Sequence, residues 1–100
     1  MRTLQFKVAG QKLSKDGDFS GLIAGTKGYL YTAYNFDGEW DGCKKAAVFV
    51  RYDKEYPVPI INSRCAVPDE ITGCKRWKVY LVGVKDGYRI TTNEVEVRQA

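Results

Sequence analysis

The sequence predicts an all-β sandwich of about seven short strands, and three observations predict it. Apolar side chains recur with a period of two through most of the chain. Turn residues punctuate it at roughly 10-residue spacing. No segment sustains a helical period. The stretch Tyr29 to Tyr52, YLYTAYNFDGEWDGCKKAAVFVRY, carries these signals most densely. It reads as two strands joined by an acidic loop, with Trp40 planted between them as a plug for one end of the core.

The first strand is expected over Thr3 to Val8, with Leu4, Phe6 and Val8 inward and Thr3, Gln5 and Lys7 outward. Ala9–Gly10 breaks it, and Gln11 to Leu13 continues it past a bulge. Ser14 to Thr26 reads as a glycine-rich loop, tacked to the core by Phe19, Leu22 and Ile23. A strand follows over Tyr29 to Phe36, with Leu30, Thr32, Tyr34 and Phe36 on one face. After the Trp40 loop, Lys44 to Tyr52 alternates Ala47 and Phe49 against Val48 and Val50.

Asp53–Lys54 is a short turn into the extended segment Glu55 to Ile61, EYPVPII. Pro57 and Pro59 cannot donate to a ladder, so this segment belongs at a sheet edge. Asn62–Ser63 turns the chain into a short strand, Arg64 to Val67. Pro68 then opens one helical turn over residues 68–72, which Gly73 stops. Trp77, Val79 and Leu81 alternate with Lys78, Tyr80 and Val82. Asp86-Gly87 supplies a hairpin turn, and Arg89 to Val97 returns with Val95 and Val97 inward.

One hundred residues fit a single domain, residues 1–100, with one core. No apolar run approaches the roughly 20 residues that span a bilayer. The N-terminus alternates with charges and lacks a signal-peptide apolar core, so synthesis in the cytosol is expected. The net charge of +4 comes from 16 basic and 12 acidic side chains scattered along the chain. Such scatter fits a solvated sheet surface better than a phosphate-tracking groove. Cys43, Cys65 and Cys74 are an odd number without a CxxC pair, and read as buried or half-buried reduced thiols, with one intramolecular pair open only if two Cβ atoms come within about 4 Å.

The catalytic vocabulary is nearly empty. There is no histidine, so Ser-His-Asp and Cys-His arrangements cannot form within this chain. The acids sit mainly in turns, where they satisfy local backbone groups. Asp37-Gly38-Glu39-Trp40-Asp41-Gly42 begins like a calcium loop, but the twelfth position, a bidentate Glu in such loops, is Val48. No glycine-rich phosphate cradle occurs. No enzyme, cofactor or metal is expected. Seven tyrosines remain, and Tyr29, Tyr31, Tyr52, Tyr56 and Tyr88 are candidate interface residues on outer faces or strand ends.

Four pieces, taken in order, carry a family likeness: YLYTAYNFDGEWDGCKKAAVF, EYPVPI, CAVPDEI and WKVYLVGVKDGYRITTNEVEV. The set resembles the small immunoglobulin-like modules of tailed-phage and prophage virion proteins of Gram-positive bacteria. Baseplate upper protein N-terminal domains and related fibre proteins belong to the family it resembles. The resemblance implies an immunoglobulin-like antiparallel β-sandwich with a structural role and no catalytic residues. Trp40, Gly42, Phe49, Pro68, Gly83, Gly87 and Asn93 match the pattern as architectural positions, with Trp77 beside them at the head of the last hairpin.

The expected function is therefore a non-enzymatic phage virion component of baseplate, fibre or decoration type. It would act by edge-strand pairing and aromatic packing on other virion proteins or on itself. The expected edges are EYPVPI and Thr3 to Val8. Host cytoplasm is the expected place of synthesis, and the virion its destination. A small phage inhibitor of a host defence protein is the alternative. Single-stranded nucleic-acid binding through Trp77, Lys75, Arg76 and Lys78 is a third, less expected reading. No membrane partner is expected.

Overall fold

The computed structural model describes residues 1–100 and is an all-β sandwich. Nine strands form it: β1 (Arg2–Ala9), β2 (Lys12–Asp16), β3 (Leu30–Phe36), β4 (Lys44–Arg51), β5 (Lys54–Pro59), β6 (Arg64–Ala66), β7 (Arg76–Lys85), β8 (Tyr88–Thr91) and β9 (Val95–Arg98). One sheet has four strands in the order β2-β1-β3-β6. The other has five, ordered β5-β4-β7-β8, with β9 also paired to β7. A single helical turn, Asp69–Thr72, links β6 to β7.

Two strands exceed the expected number, and each has a local cause. Gln11 to Leu13 does not continue the first strand past a bulge. Gly10 adopts φ +57, so Gly10–Gln11 makes a two-residue hairpin and Lys12–Asp16 folds back on β1. The segment expected as loop thus begins with a strand. The return strand near the C-terminus is split because the Thr92 side chain intervenes. Its hydroxyl accepts from Leu81 N–H at 3.0 Å and donates to the Asn93 carbonyl at 2.9 Å. That displaces the ladder between β8 and β9.

Pairing is antiparallel everywhere except between β1 and β3, which run parallel in register from Arg2↔Leu30 to Val8↔Phe36. The connection from β2 to β3 stays at one end of the sandwich, so no crossover helix is needed. It is fixed there by Leu22, which is buried, and by Phe19 set edge-on to Phe6 at 5.2 Å. A backbone bond between Leu22 and Ala100 ties it to the C-terminus, and one between Gly25 and Thr72 ties it to the helical turn. Because β1 lies between β2 and β3, it is an interior strand and not the expected edge. β5, carrying Pro57 and Pro59, does occupy an edge.

Leu4, Phe6 and Val8 of β1 face Ala47 and Phe49 of β4 and Trp77, Val79 and Leu81 of β7 across one core. Aromatic rings run along the four-stranded side of it. Phe6 stacks on Tyr34 at 5.3 Å, Tyr34 meets Phe36 at 5.9 Å, and Phe36 meets Trp40 at 5.2 Å. Trp40 is 0% exposed and closes that end. Its Nε1 donates to the Gly10 carbonyl at 2.8 Å, while its ring presses on Gly83 of β7. A Cβ at Gly83 would lie 2.7 Å from Trp40 Cζ3, so this position has room for glycine alone. Trp40 therefore joins a hairpin of one sheet to a strand of the other.

Candidate functional site

Register decides which side chains share a face. Ala47 and Phe49 are buried inward, so Ala46, Val48 and Val50 of β4 point out of the five-stranded sheet. On β7, Trp77, Val79 and Leu81 point inward, which sends Lys78, Tyr80, Val82 and Val84 out. Cross-strand partners join these into rows. Pro59, Ala46, Val82 and Thr91 form one row, and Pro57, Val48 and Tyr80 the next. Val84 follows, flanked by Lys44 and Arg89.

The result is a sheet apolar on both sides. Val48 is buried on the solvent side by its own neighbours, and Ala46, Val50, Tyr80 and Val82 are half-buried. Val84 is 47% exposed. An antiparallel sheet with one wet face normally alternates apolar with polar residues. Here Ala46, Val48 and Val50 of β4 and Tyr80, Val82 and Val84 of β7 are apolar outward positions, with Lys44 and Lys78 at the ends. Adjoining apolar side chains on an outward face, with Val84 exposed, make this face a candidate contact site.

Charged groups frame the patch. Glu55 sits at the β5 edge, where its Oε2 accepts from the Tyr80 hydroxyl at 2.9 Å. Burial pushes the Tyr80 hydroxyl above its ordinary pKa, and the Glu55 carboxylate pushes it the same way. Arg89 and Glu94 lie close enough to act electrostatically on the same hydroxyl from the opposite side. Toward the far end, Val50, Tyr52, Lys75, Lys78, Glu94 and Glu96 line an open groove of about 640 Å³. Tyr52 is 88% exposed there and holds φ +55, a backbone region that bulky residues rarely adopt.

The architectural candidates are spread through the fold. Phe49 and Trp77 pack edge to face at 5.6 Å in the core. Pro68 precedes the helical turn, and Gly42 and Gly87 adopt φ +76 and +68 in turns. Asn93 clips the sheets together: its Oδ1 accepts from Leu13 N–H at 2.8 Å and its Nδ2 donates to Leu13 O at 3.1 Å. Asp37, in the calcium-like segment, serves the backbone. Its oxygens accept from Gly10 N–H at 2.7 Å and Glu39 N–H at 3.2 Å.

The five candidate tyrosines do not converge. Tyr29 precedes β3, and Tyr31 stacks under the Arg64 guanidinium at 4.8 Å on the four-stranded sheet. Tyr56 turns inward against the core, contrary to expectation, because its β5 position alternates with the outward prolines. Tyr88 donates to the Glu39 carbonyl at 3.1 Å beside the Trp40 loop. Only Tyr52 borders the apolar face. Tyr80, absent from that set, is the tyrosine at its centre. Its signal was available: Val48, Val50 and Val82 occupy alternate positions that a wet face would fill with polar residues.

Trp77 is 1% exposed, so its ring is closed to base stacking beside Lys75, Arg76 and Lys78. Its Nε1 is buried without a hydrogen-bond partner. Cys43, Cys65 and Cys74 are buried free thiols. Thr32, in the core, accepts from the Tyr34 hydroxyl at 2.8 Å and meets Cys65 Sγ at 3.3 Å. Burial raises the pKa of both the Tyr34 hydroxyl and the Cys65 thiol. No helix is long and apolar enough to cross a membrane. No family model, curated protein or solved structure matches this chain.

Proposed function

We propose that this chain is a non-enzymatic virion module of a tailed phage, of the baseplate, fibre or decoration type, working through protein–protein contacts. The observation that carries the reading is the aliphatic outer face of the five-stranded sheet, built on Ala46, Val48, Val50, Tyr80 and Val82. Val48 is buried by its neighbours, while Ala46, Val50, Tyr80 and Val82 keep part of their apolar area in water. A partner that covers this face removes the remaining apolar area from water. The ordered likeness to phage immunoglobulin-like modules supplies the virion context. Synthesis takes place in the host cytoplasm, and the finished protein resides on the tail, baseplate or capsid surface.

The test is composition of purified particles from a host carrying the parent phage or prophage. Mass spectrometry finds this chain in stoichiometric amount, and Val82→Arg abolishes its incorporation while the folded protein still accumulates. Absence from particles, together with a tight complex with a bacterial protein, replaces this reading by that of a host-directed inhibitor.

A further inference from the structure

From the outer face of the five-stranded sheet we infer that its partner is a second copy of this chain, related by a two-fold axis lying along the row Pro59–Ala46–Val82–Thr91. This deepens the protein-contact reading above by naming the face and the occupant.

Charge placement on the face fixes the axis. Glu96 is engaged within its own chain, 3.5 Å from Arg76 and 3.7 Å from Arg98, and these are the only ion pairs present. Arg89, Glu94, Lys78 and Asp86 remain without an ionic partner on or beside the face. Arg89 lies level with Val84, two residues from the Val82 row in one direction. Glu94 lies near Tyr80, two residues away in the other. Rotation by 180° about the Val82 row exchanges these levels. Arg89 of one copy then meets Glu94 of the other, and Lys78 comes to the level of Asp86 in the β7–β8 turn. Both contacts occur twice, as an isologous interface requires.

The apolar groups match under the same rotation. Val84 covers Tyr80 of the second copy. Ile61, 67% exposed just past β5, comes toward Pro57. Lys44 crosses Val48, its aliphatic stem on the valine and its ammonium at the rim. An axis along the strands gives the opposite outcome: it sets Glu96 against Glu55 of the copy, like charge against like, and leaves Glu94 facing the level of Pro57. Sheets packed face to face align within about 30°, which both copies satisfy here. Four strand columns and seven residues give a footprint of about 19 by 24 Å. That is about 460 Å² per copy, below the size of stable interfaces, so the dimer is a weak and reversible one.

Sedimentation velocity from about 1 µM to about 1 mM tests it, spanning the affinities such an interface supports. The mass rises from the 11.3 kDa of one chain toward twice that value. Val82→Arg stays at one chain throughout, with a wild-type circular dichroism spectrum and melting curve. Arg89→Glu and Glu94→Arg each weaken association about 3–10-fold, the loss of two rim pairs per dimer, and the double reversal restores it to within about twofold. A wild-type chain monomeric at every concentration overturns the inference, as does a double reversal no better than either single change. A chain that is monomeric in solution yet present in particles overturns the self-contact alone. A dimer absent from particles overturns the virion reading alone.

Discussion

The four-stranded sheet turns Gln5, Lys7, Lys12, Asn35 and Arg64 outward among Tyr31, Ala33 and Ala66, whereas the five-stranded sheet sets Val48, Val50, Tyr80 and Val82 side by side. Their interiors differ in the opposite sense. Behind the polar face lies a hydrogen-bonded chain, Tyr34 to Thr32 to Cys65. Behind the apolar face lies Trp77 with an unpartnered indole N–H. Both sheets obey the same alternation, so alternation says only that a strand has two sides. The chemistry of the outward residues says whether the second side meets water or a partner.

Trp40 belongs to both sheets, and removing it produces the largest effect. Trp40→Ala deletes the ring that rests on Gly83 and the bond to Gly10. Loss of a buried tryptophan costs about 3–5 kcal/mol, a large share of the 5–15 kcal/mol available to a domain of this kind. Chemical denaturation should show a much lower midpoint. A midpoint unchanged within error breaks the picture of two sheets locked through one indole.

The polar interior of the four-stranded sheet predicts an alkaline weakness. The fold keeps the Cys65 thiol and Tyr34 hydroxyl neutral above their ordinary pKa values of 9.0 and 10.0. The unfolded chain ionises at those values. Stability is therefore complete below about pH 9 and falls as pH climbs beyond it, by up to about 1.4 kcal/mol per unit for each group. Urea midpoints measured from pH 8 to 11 should fall, and Tyr34→Phe should flatten the slope. An equally steep slope in Tyr34→Phe contradicts the assignment.

The two indoles sharpen the contrast further. Trp40→Phe strands the Gly10 carbonyl, whereas Trp77→Phe removes a donor that had no acceptor. Trp77→Phe should cost less by about 1 kcal/mol, the net worth of one hydrogen bond. Equal costs in thermal melts would erase the distinction.

Much of this was legible in the residues. Leu4, Phe6 and Val8, the Trp40 plug, the proline-marked edge and the Asp86-Gly87 hairpin all follow from alternation and turn chemistry. The parallel pairing of β1 with β3 did not, because alternation names a face and never a neighbour. β2 was hidden because KLSKD offers one buried apolar residue, Leu13. The break between β8 and β9 depends on one hydroxyl, Thr92, bonding to Leu81 across the hairpin. Residue type alone does not place an interface: the five tyrosines scatter because placement depends on register. The aliphatic outward rows on β4 and β7 were the stronger sign.

The proposed partner covers the outer face of the five-stranded sheet and leaves that of the four-stranded sheet to water. Amide NMR with a soluble paramagnetic probe, read across a concentration series, tests it directly. With rising protein concentration, signals of Val48, Tyr80, Val82 and Val84 should become protected while those of Gln5, Lys7 and Asn35 stay bleached. Equal bleaching of both faces at every concentration, in the wild-type chain alone and with its particle partners, would contradict it.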